Sequence, residues 1–362
     1  WAEILGALDP DALEKRLHAL TERHEALRAV FITGENRPWQ AVLERKDSFF
    51  SFEDLSALPG PEQEQRMRAA RAALPRPRLI ADPLVRLLLF RLGEDRFRVL
   101  LSWHHIILDG WSLGLLLSEL FAPEAPSTPT VSFVEHVRML AEGDTVADLD
   151  WWREALRDRG APALLPRTHA PKRLPEAQSG GQLTFAPTRH TDRKLRALAA
   201  SRGLTLNSLL QAAWALVLSR HADQDEIIFG SVVSGRPASL PGVEELVGLC
   251  VTTVPVRVDC TSEISFARAA EAVQAWNVAA EYHAFCPLAE LKNLAGEGMG
   301  QIFVFENQPP LNPQGLAVTP LRSAGYAGVD FALEWTDSGR LSCTFHYDAS
   351  LFEEWRIQAL RD

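Results

Sequence analysis

Leu101 to Leu120 reads LSWHHIILDGWSLGLLLSEL: an apolar run ends on two histidines, crosses an Asp-Gly pair and resumes as apolar sequence. Before it, Leu84 to Leu92 and Phe97 to Trp103 are two runs of large apolar residues joined by Gly93, Glu94 and Asp95. That is the pattern of a β-hairpin in a well-buried sheet. After the histidines, Leu113, Leu116, Leu117 and Leu120 recur at helical spacing, so Trp111 to Leu120 is read as a helix. His104 and His105 therefore stand where a strand gives way to a loop.

Outward from this stretch the pattern is α/β on both sides. Asp9 and Pro10 suit the start of a helix, and Leu13, Leu17, Leu20 and Leu27 carry its periodicity from Pro10 to Ala29. Helices are also expected over Asp192 to Ser201, capped by Thr191, and over Leu206 to Ser219, capped by Thr205. Strands are expected at Ile227 to Val233, Cys250 to Val258, Ile302 to Phe305 and Leu341 to Tyr347. Gly160 to Gly181, rich in Pro, Arg, Gly and Ser, reads as a linker or crossover. Two halves follow, 1–170 and 171–362.

Composition narrows the function classes. A chain of 362 residues with 46% apolar content can bury real cores. Its net charge of −10 and lack of a Lys/Arg block argue against nucleic acid or an anionic membrane surface as partner. Without a signal-peptide pattern or an apolar run long enough to span a bilayer, the expected location is the cytoplasm. Cys250, Cys260, Cys286 and Cys343 show no metal-binding or disulfide spacing and are read as buried thiols.

Three readings of HHIILDG stand side by side. Neighbouring side chains on a strand point to opposite faces, which makes a shared metal the weaker one, and no metal is expected. In the plainest, one histidine is a satisfied core residue and Asp109 only begins a turn. In the third, one imidazole faces a cavity as base or hydrogen-bond acceptor, Asp109 anchors its loop, and Gly110 lets the backbone approach a substrate.

Five ordered blocks bear on this choice. His104-His105-Ile106-Ile107-Leu108-Asp109-Gly110, followed by Trp111-Ser112, is similar to the His-His-x-x-x-Asp-Gly signature of nonribosomal peptide synthetase condensation domains. RHEALRAVF (Arg23 to Phe31), SGRPASLPGVEELVGLCVTTVPVRV (Ser234 to Val258), CPLAEL (Cys286 to Leu291) and FVFENQP (Phe303 to Pro309) resemble further family segments in order. Thr252 stands where the family usually has Asn, the segment after Leu120 is short, and the family's opening motif is absent.

The resemblance implies two chloramphenicol-acetyltransferase-like α/β lobes in a V-shaped pseudodimer with a central tunnel. Donor and acceptor peptidyl carrier proteins, adjoining domains of a larger synthetase, would supply phosphopantetheine arms, with no intrinsic cofactor and a monomeric isolated domain. The implied reaction is attack of the acceptor's α-amine on the donor's acyl thioester. His105 is expected nearest the amine, as its base or its orienting acceptor, and Gly110 to offer its N–H to the oxyanion. Asp109 is expected to pair with Arg28 or Arg236, and His104 to be a packed neighbour. Trp111 is read as tunnel wall or core; Ser234, Thr252, Glu306 and Asn307 are candidate tunnel residues.

Other readings share the motif. A coenzyme A-dependent acyltransferase of the same fold needs no second carrier, but the Asp-Phe-Gly-Trp-Gly element of the plant enzymes is not found. An epimerisation domain usually has Trp after the serine, where this chain has Leu113. A non-catalytic docking platform tends to lose the second histidine, and His105 is intact.

Overall fold

The computed structural model describes residues 1–34, 38–122, 131–160, 164–168, 180–237, 239–306, 317–318 and 330–361. In chain order the elements are β1 (Ala2–Leu5), α1 (Pro10–Arg23), β2 (Ala29–Thr33), β3 (Pro38–Val42), β4 (Phe49–Asp54), α2 (Gly60–Ala73), β5 (Val85–Gly93) and β6 (Arg96–Trp103). Next come α3 (Gly110–Leu120), α4 (Phe133–Glu142), α5 (Thr145–Ala155), β7 (Gly180–Phe185), α6 (Arg189–Arg202), α7 (Leu206–Ala222), β8 (Glu226–Val233) and β9 (Thr252–Asp259). The last are α8 (Phe266–Glu281), α9 (Leu288–Ala295), β10 (Gln301–Glu306), β11 (Ala317–Val318), β12 (Phe331–Asp337), β13 (Leu341–Asp348) and α10 (Glu354–Arg361).

These elements form two compact units. The first comprises residues 1–141, 236–250 and 308–324; the second, 142–235, 251–307 and 325–362. The sequence pattern suggested one boundary near residue 170. The structure instead assigns 142–170 to the second unit and gives the first unit two segments from far along the chain. Most of the Gly160–Gly181 crossover lies outside the described residues.

The first unit is built on a sheet of order β11-β1-β6-β5-β4, in which β4 and β5 are parallel and the other pairs antiparallel. The hairpin expected from the apolar runs is β5–β6. Its first strand is apolar at nearly every position because both faces are covered. Leu87 and Leu89 enter the core made by Leu13, Leu17 and Leu20 of α1 with Leu116, Leu117 and Leu120 of α3. Leu88, Phe90 and Leu92 point the other way, onto Met67 of α2.

Helix α1 stops at Arg23, six residues short of the expected end, and Glu25–Arg28 form a single 3₁₀ turn into β2. The side chains of this segment have partners in different directions. His24 Nε2 lies 2.7 Å from Glu119 Oε2. Glu25 accepts from Ser132 Oγ at 2.6 Å and from the Val134 N–H at 3.0 Å, which caps α4. Helical periodicity continues through Leu27, but these tertiary contacts override it.

The second unit carries a mixed sheet of order β7-β13-β12-β10-β8-β9, with β10 parallel to both neighbours. Helix α7, capped by Thr205 as expected, contributes Leu209, Ala212, Trp214 and Leu218 to the core of this unit. Trp214 stacks on Phe331 with ring centroids 5.4 Å apart. Helix α6 begins three residues earlier than its periodicity suggested: the cap is Thr188, whose side chain accepts from the Thr191 N–H. All four cysteines are buried free thiols. No helix among the described residues is long and apolar enough to cross a membrane.

Phe331 is fully buried among Trp214, Phe345 and Phe352. Phe331→Ala should cost about 3–5 kcal/mol of stability, read as a lowered melting temperature. Val278→Ser on the exposed face of α8 should stay within about 0.5 kcal/mol of the parent.

Candidate functional site

The loop from β6 to α3 is fixed at both ends. At its start the His104 N–H bonds to the Leu84 carbonyl at 2.9 Å, extending the hairpin ladder by one step. The chain then leaves the strand, so strand alternation does not govern the two rings. His104 Nδ1 accepts from the Ile106 N–H at 3.2 Å. Its pKa is lowered, chiefly by burial and then by the neighbouring His105. His105 sits in the turn and is exposed.

At the loop's end, Asp109 caps α3 by accepting from the Ser112 N–H at 2.8 Å. Its carboxylate is out of solvent, and four donors meet it. Arg236 gives Nη1 to Oδ2 at 2.9 Å and Nη2 to Oδ1 at 3.1 Å, a bidentate fork. The Cys250 N–H donates to Oδ2 at 3.0 Å. Burial pushes the carboxyl up, but Arg236 and the two backbone donors outweigh it and hold Asp109 below the usual carboxylate range. The partner is therefore Arg236. Arg28 instead donates to the carbonyls of Leu43 and Glu44.

Four more hydrogen bonds bind the start of α3 to residues 236–250. Trp111 Nε1 donates to the Glu244 carbonyl at 2.7 Å, so the indole serves as a staple. Ser112 Oγ donates to the Gly248 carbonyl at 2.7 Å and accepts from the Gly248 N–H at 3.0 Å and from Arg236 Nη2 at 2.8 Å. Gly248 is required by closeness: a Cβ there would fall 2.3 Å from the Phe133 ring. Gly110 is the first residue of α3, and its N–H belongs to the initial set that has no carbonyl partner within the helix.

The condensation-domain model matches residues 1–362. The chain belongs to the condensation-domain family. It is 32% identical over 382 residues to a plipastatin synthase polypeptide of Bacillus subtilis (strain 168), a match that covers 97% of this chain and 15% of that protein. It is 28% identical over 380 residues to tyrocidine synthase 2 of Brevibacillus parabrevis, covering 99% of this chain and 10% of the other. The chain thus spans a small part of each relative.

Among solved structures, the first condensation domain of the calcium-dependent antibiotic synthetase, in complex with a substrate analogue, superposes with a TM-score of 0.77 at 23% identity. That match covers 99% of this chain and 87% of the other. The X-domain from teicoplanin biosynthesis gives 0.80 at 20% identity, over 99% and 86%. The fold of this condensation domain is thus the chloramphenicol-acetyltransferase-like one expected from its sequence. An acyltransferase type of activity belongs to the family.

The remaining sequence candidates are distributed as follows. Arg236 belongs with His104, His105, Asp109, Gly110 and Trp111 in the first unit, as does Arg28. Ser234, which is exposed, Thr252, the first residue of β9, and Glu306, the last of β10, belong to the second. Asn307 lies outside the described residues. Sequence reasoning missed Ser112 and Cys250 as parts of the Asp109 cluster. Ser112 was legible as a motif companion of Trp111, but its three bonds depend on a segment more than 120 residues away.

Removing the Asp109 carboxylate leaves Arg236 buried and uncompensated, which typically costs about 3–5 kcal/mol. Asp109→Ala should therefore lower the melting temperature together with turnover. A variant that melts like the parent yet has no activity would point instead to direct chemistry by the carboxylate.

Proposed function

We propose that this condensation domain joins a donor acyl or peptidyl thioester to the α-amine of an acceptor aminoacyl thioester, each carried on the phosphopantetheine arm of a carrier protein. The observation that carries the reading is the exposed His105 in a turn whose two ends are fixed by hydrogen bonds. A structural neighbour, a four-domain nonribosomal peptide synthetase, matches with a TM-score of 0.80 at 18% identity over 99% of this chain and 30% of its own. That setting favours carriers as adjoining domains.

The amine nitrogen attacks the thioester carbonyl, a C–N bond forms, the C–S bond breaks, and the sulfur leaves to become the donor arm's free thiol. His105 accepts the amine's hydrogen bond during attack, and the proton that the nitrogen sheds is passed through its ring to the departing sulfur. An α-amino group has a pKa near 8, so much of it is already neutral at cellular pH, and a strong base is not required. The Gly110 N–H is offered to the oxyanion, where one such donor is worth about 2.7–4 kcal/mol. Asp109 is an anchor, because its oxygens are already occupied by Arg236, Ser112 and Cys250. Tethering both reactants replaces a bimolecular encounter with a local one, worth up to about 7–11 kcal/mol.

A turnover assay with two loaded carrier proteins tests this. His105→Ala should lower condensation by about 10²–10⁴-fold with an unchanged melting temperature, and His104→Ala should cost less. Equal losses from both, at parent stability, defeat the assignment to His105.

Presentation of the substrates tests the carriers. Donor and acceptor on carriers should react far faster than the same groups as coenzyme A thioester and free amine, which forfeit the local concentration of a tether. Equal turnover untethered would favour a stand-alone acyltransferase.

A further inference from the structure

His136, on the second turn of α4, is 1% exposed, and neither ring nitrogen has a hydrogen-bond partner among the described residues. Such a ring is costly to bury, since each polar nitrogen gives up water for nothing in return. A hydrocarbon side chain of similar size would fill the space without that loss. What a hydrocarbon cannot do is take up a proton.

The surroundings make that proton consequential. Helix α4 packs on residues 236–250: Phe133 lies against Gly248 and clusters with Val243, Leu246 and Cys250. The charges acting on the His136 ring are Arg236, from that segment, and Asp109, from the His105 loop. They match one to one in the bidentate pair. Of the other titratable groups around α4, Cys250 stays a thiol, its pKa pushed up to about 12, mainly by burial. Glu25 is engaged with Ser132 and the Val134 N–H at the start of α4. On α4 itself, Glu135 and Arg138 are exposed.

We propose that His136 is a positioning residue for the His105 loop: neutral, it lies buried in the helix that packs on residues 236–250, and protonated, it adds a second cation to the charge of Arg236 and loosens residues 236–250 from that loop. Burial and then Arg236 lower the pKa of His136, with Asp109 opposing. The unfolded chain therefore binds more protons than the folded one below the ordinary imidazole value of about 6.5. Stability from the neutral ring is complete above that pH and is lost as pH falls toward the lowered value. The stability effect stands apart from the assignment of His105; only the rate readout rests on it.

The test compares the parent chain with His136→Phe and His136→Gln in thermal melts from pH 8 to 5.5. On acidification the parent should lose about 2–4 °C more than either variant, and parallel slopes overturn the proposal. Contributions common to all three chains cancel in the comparison. Hydrogen exchange of the unaltered chain gives a second reading that needs no variant. After correction for the intrinsic rate, amides of residues 240–252 should lose protection between pH 7.5 and 5.5 while those of α7 keep theirs. Unchanged protection in 240–252 overturns it equally. With carrier-bound substrates, the acid limb of the rate profile should move to lower pH in His136→Gln. Absence of turnover in every chain would count against the proposed reaction and leave the melting and exchange results to decide on His136.

Discussion

The buried fork between Asp109 and Arg236 is the constraint on which the loop geometry depends. Both side chains are withdrawn from water, with side-chain exposures of 0% and 6%. A pair so placed is a poor source of net stability, because desolvation offsets most of its attraction. Its value is geometric. The carboxylate is also the N-cap of α3, so one group sets the start of that helix and the position of residues 236–250. Arginine suits this better than lysine: its planar fork engages both oxygens while Nη2 also reaches Ser112 Oγ and the Leu246 carbonyl.

Around that fork the contacts are repeated rather than diverse. Trp111, Ser112 and Cys250 all bond to or from the same segment, and Phe133 fills the space a side chain at Gly248 would take. Each bond is of ordinary strength, on the order of 1 kcal/mol net. Together they specify one register, because sliding residues 236–250 by a single position would break them all. His105, in contrast, projects from the turn into solvent. The rigid part and the exposed part of the motif are thus neighbours in sequence.

Much of this was legible in the residues. The β5–β6 hairpin and α3 follow from apolar patterning, and β5 could be read as doubly covered because Leu87 to Phe90 show no alternation. The five blocks identified the family, and Asp109 as an anchor was implied by the resemblance. The choice of Arg236 over Arg28 was not legible, since both are motif arginines and only the tertiary fold brings one of them to the carboxylate. The end of α1 was hidden for the same reason: Leu27 keeps the helical phase, while His24 answers to Glu119, 95 residues away. The cap of α6 was ambiguous between two threonines three residues apart, and the structure uses Thr188. His136 gave no signal, being a single histidine in an amphipathic helix.

The electrostatics of the loop limit what it can offer a substrate. Asp109 is held ionised but its oxygens are spoken for by four donors, so it has little to give a reacting proton. The Cys250 thiol, whose backbone touches the same carboxylate, is kept protonated by burial and is a weak nucleophile in that form. His104 spends Nδ1 on the backbone of its own turn, and the buried His136 is withdrawn from solvent. Among these groups only the His105 ring is exposed. A loop of this composition suits a reaction in which the electrophile arrives already activated and the incoming nucleophile needs only a hydrogen-bond acceptor at a fixed place. Aminolysis of a thioester has those two requirements.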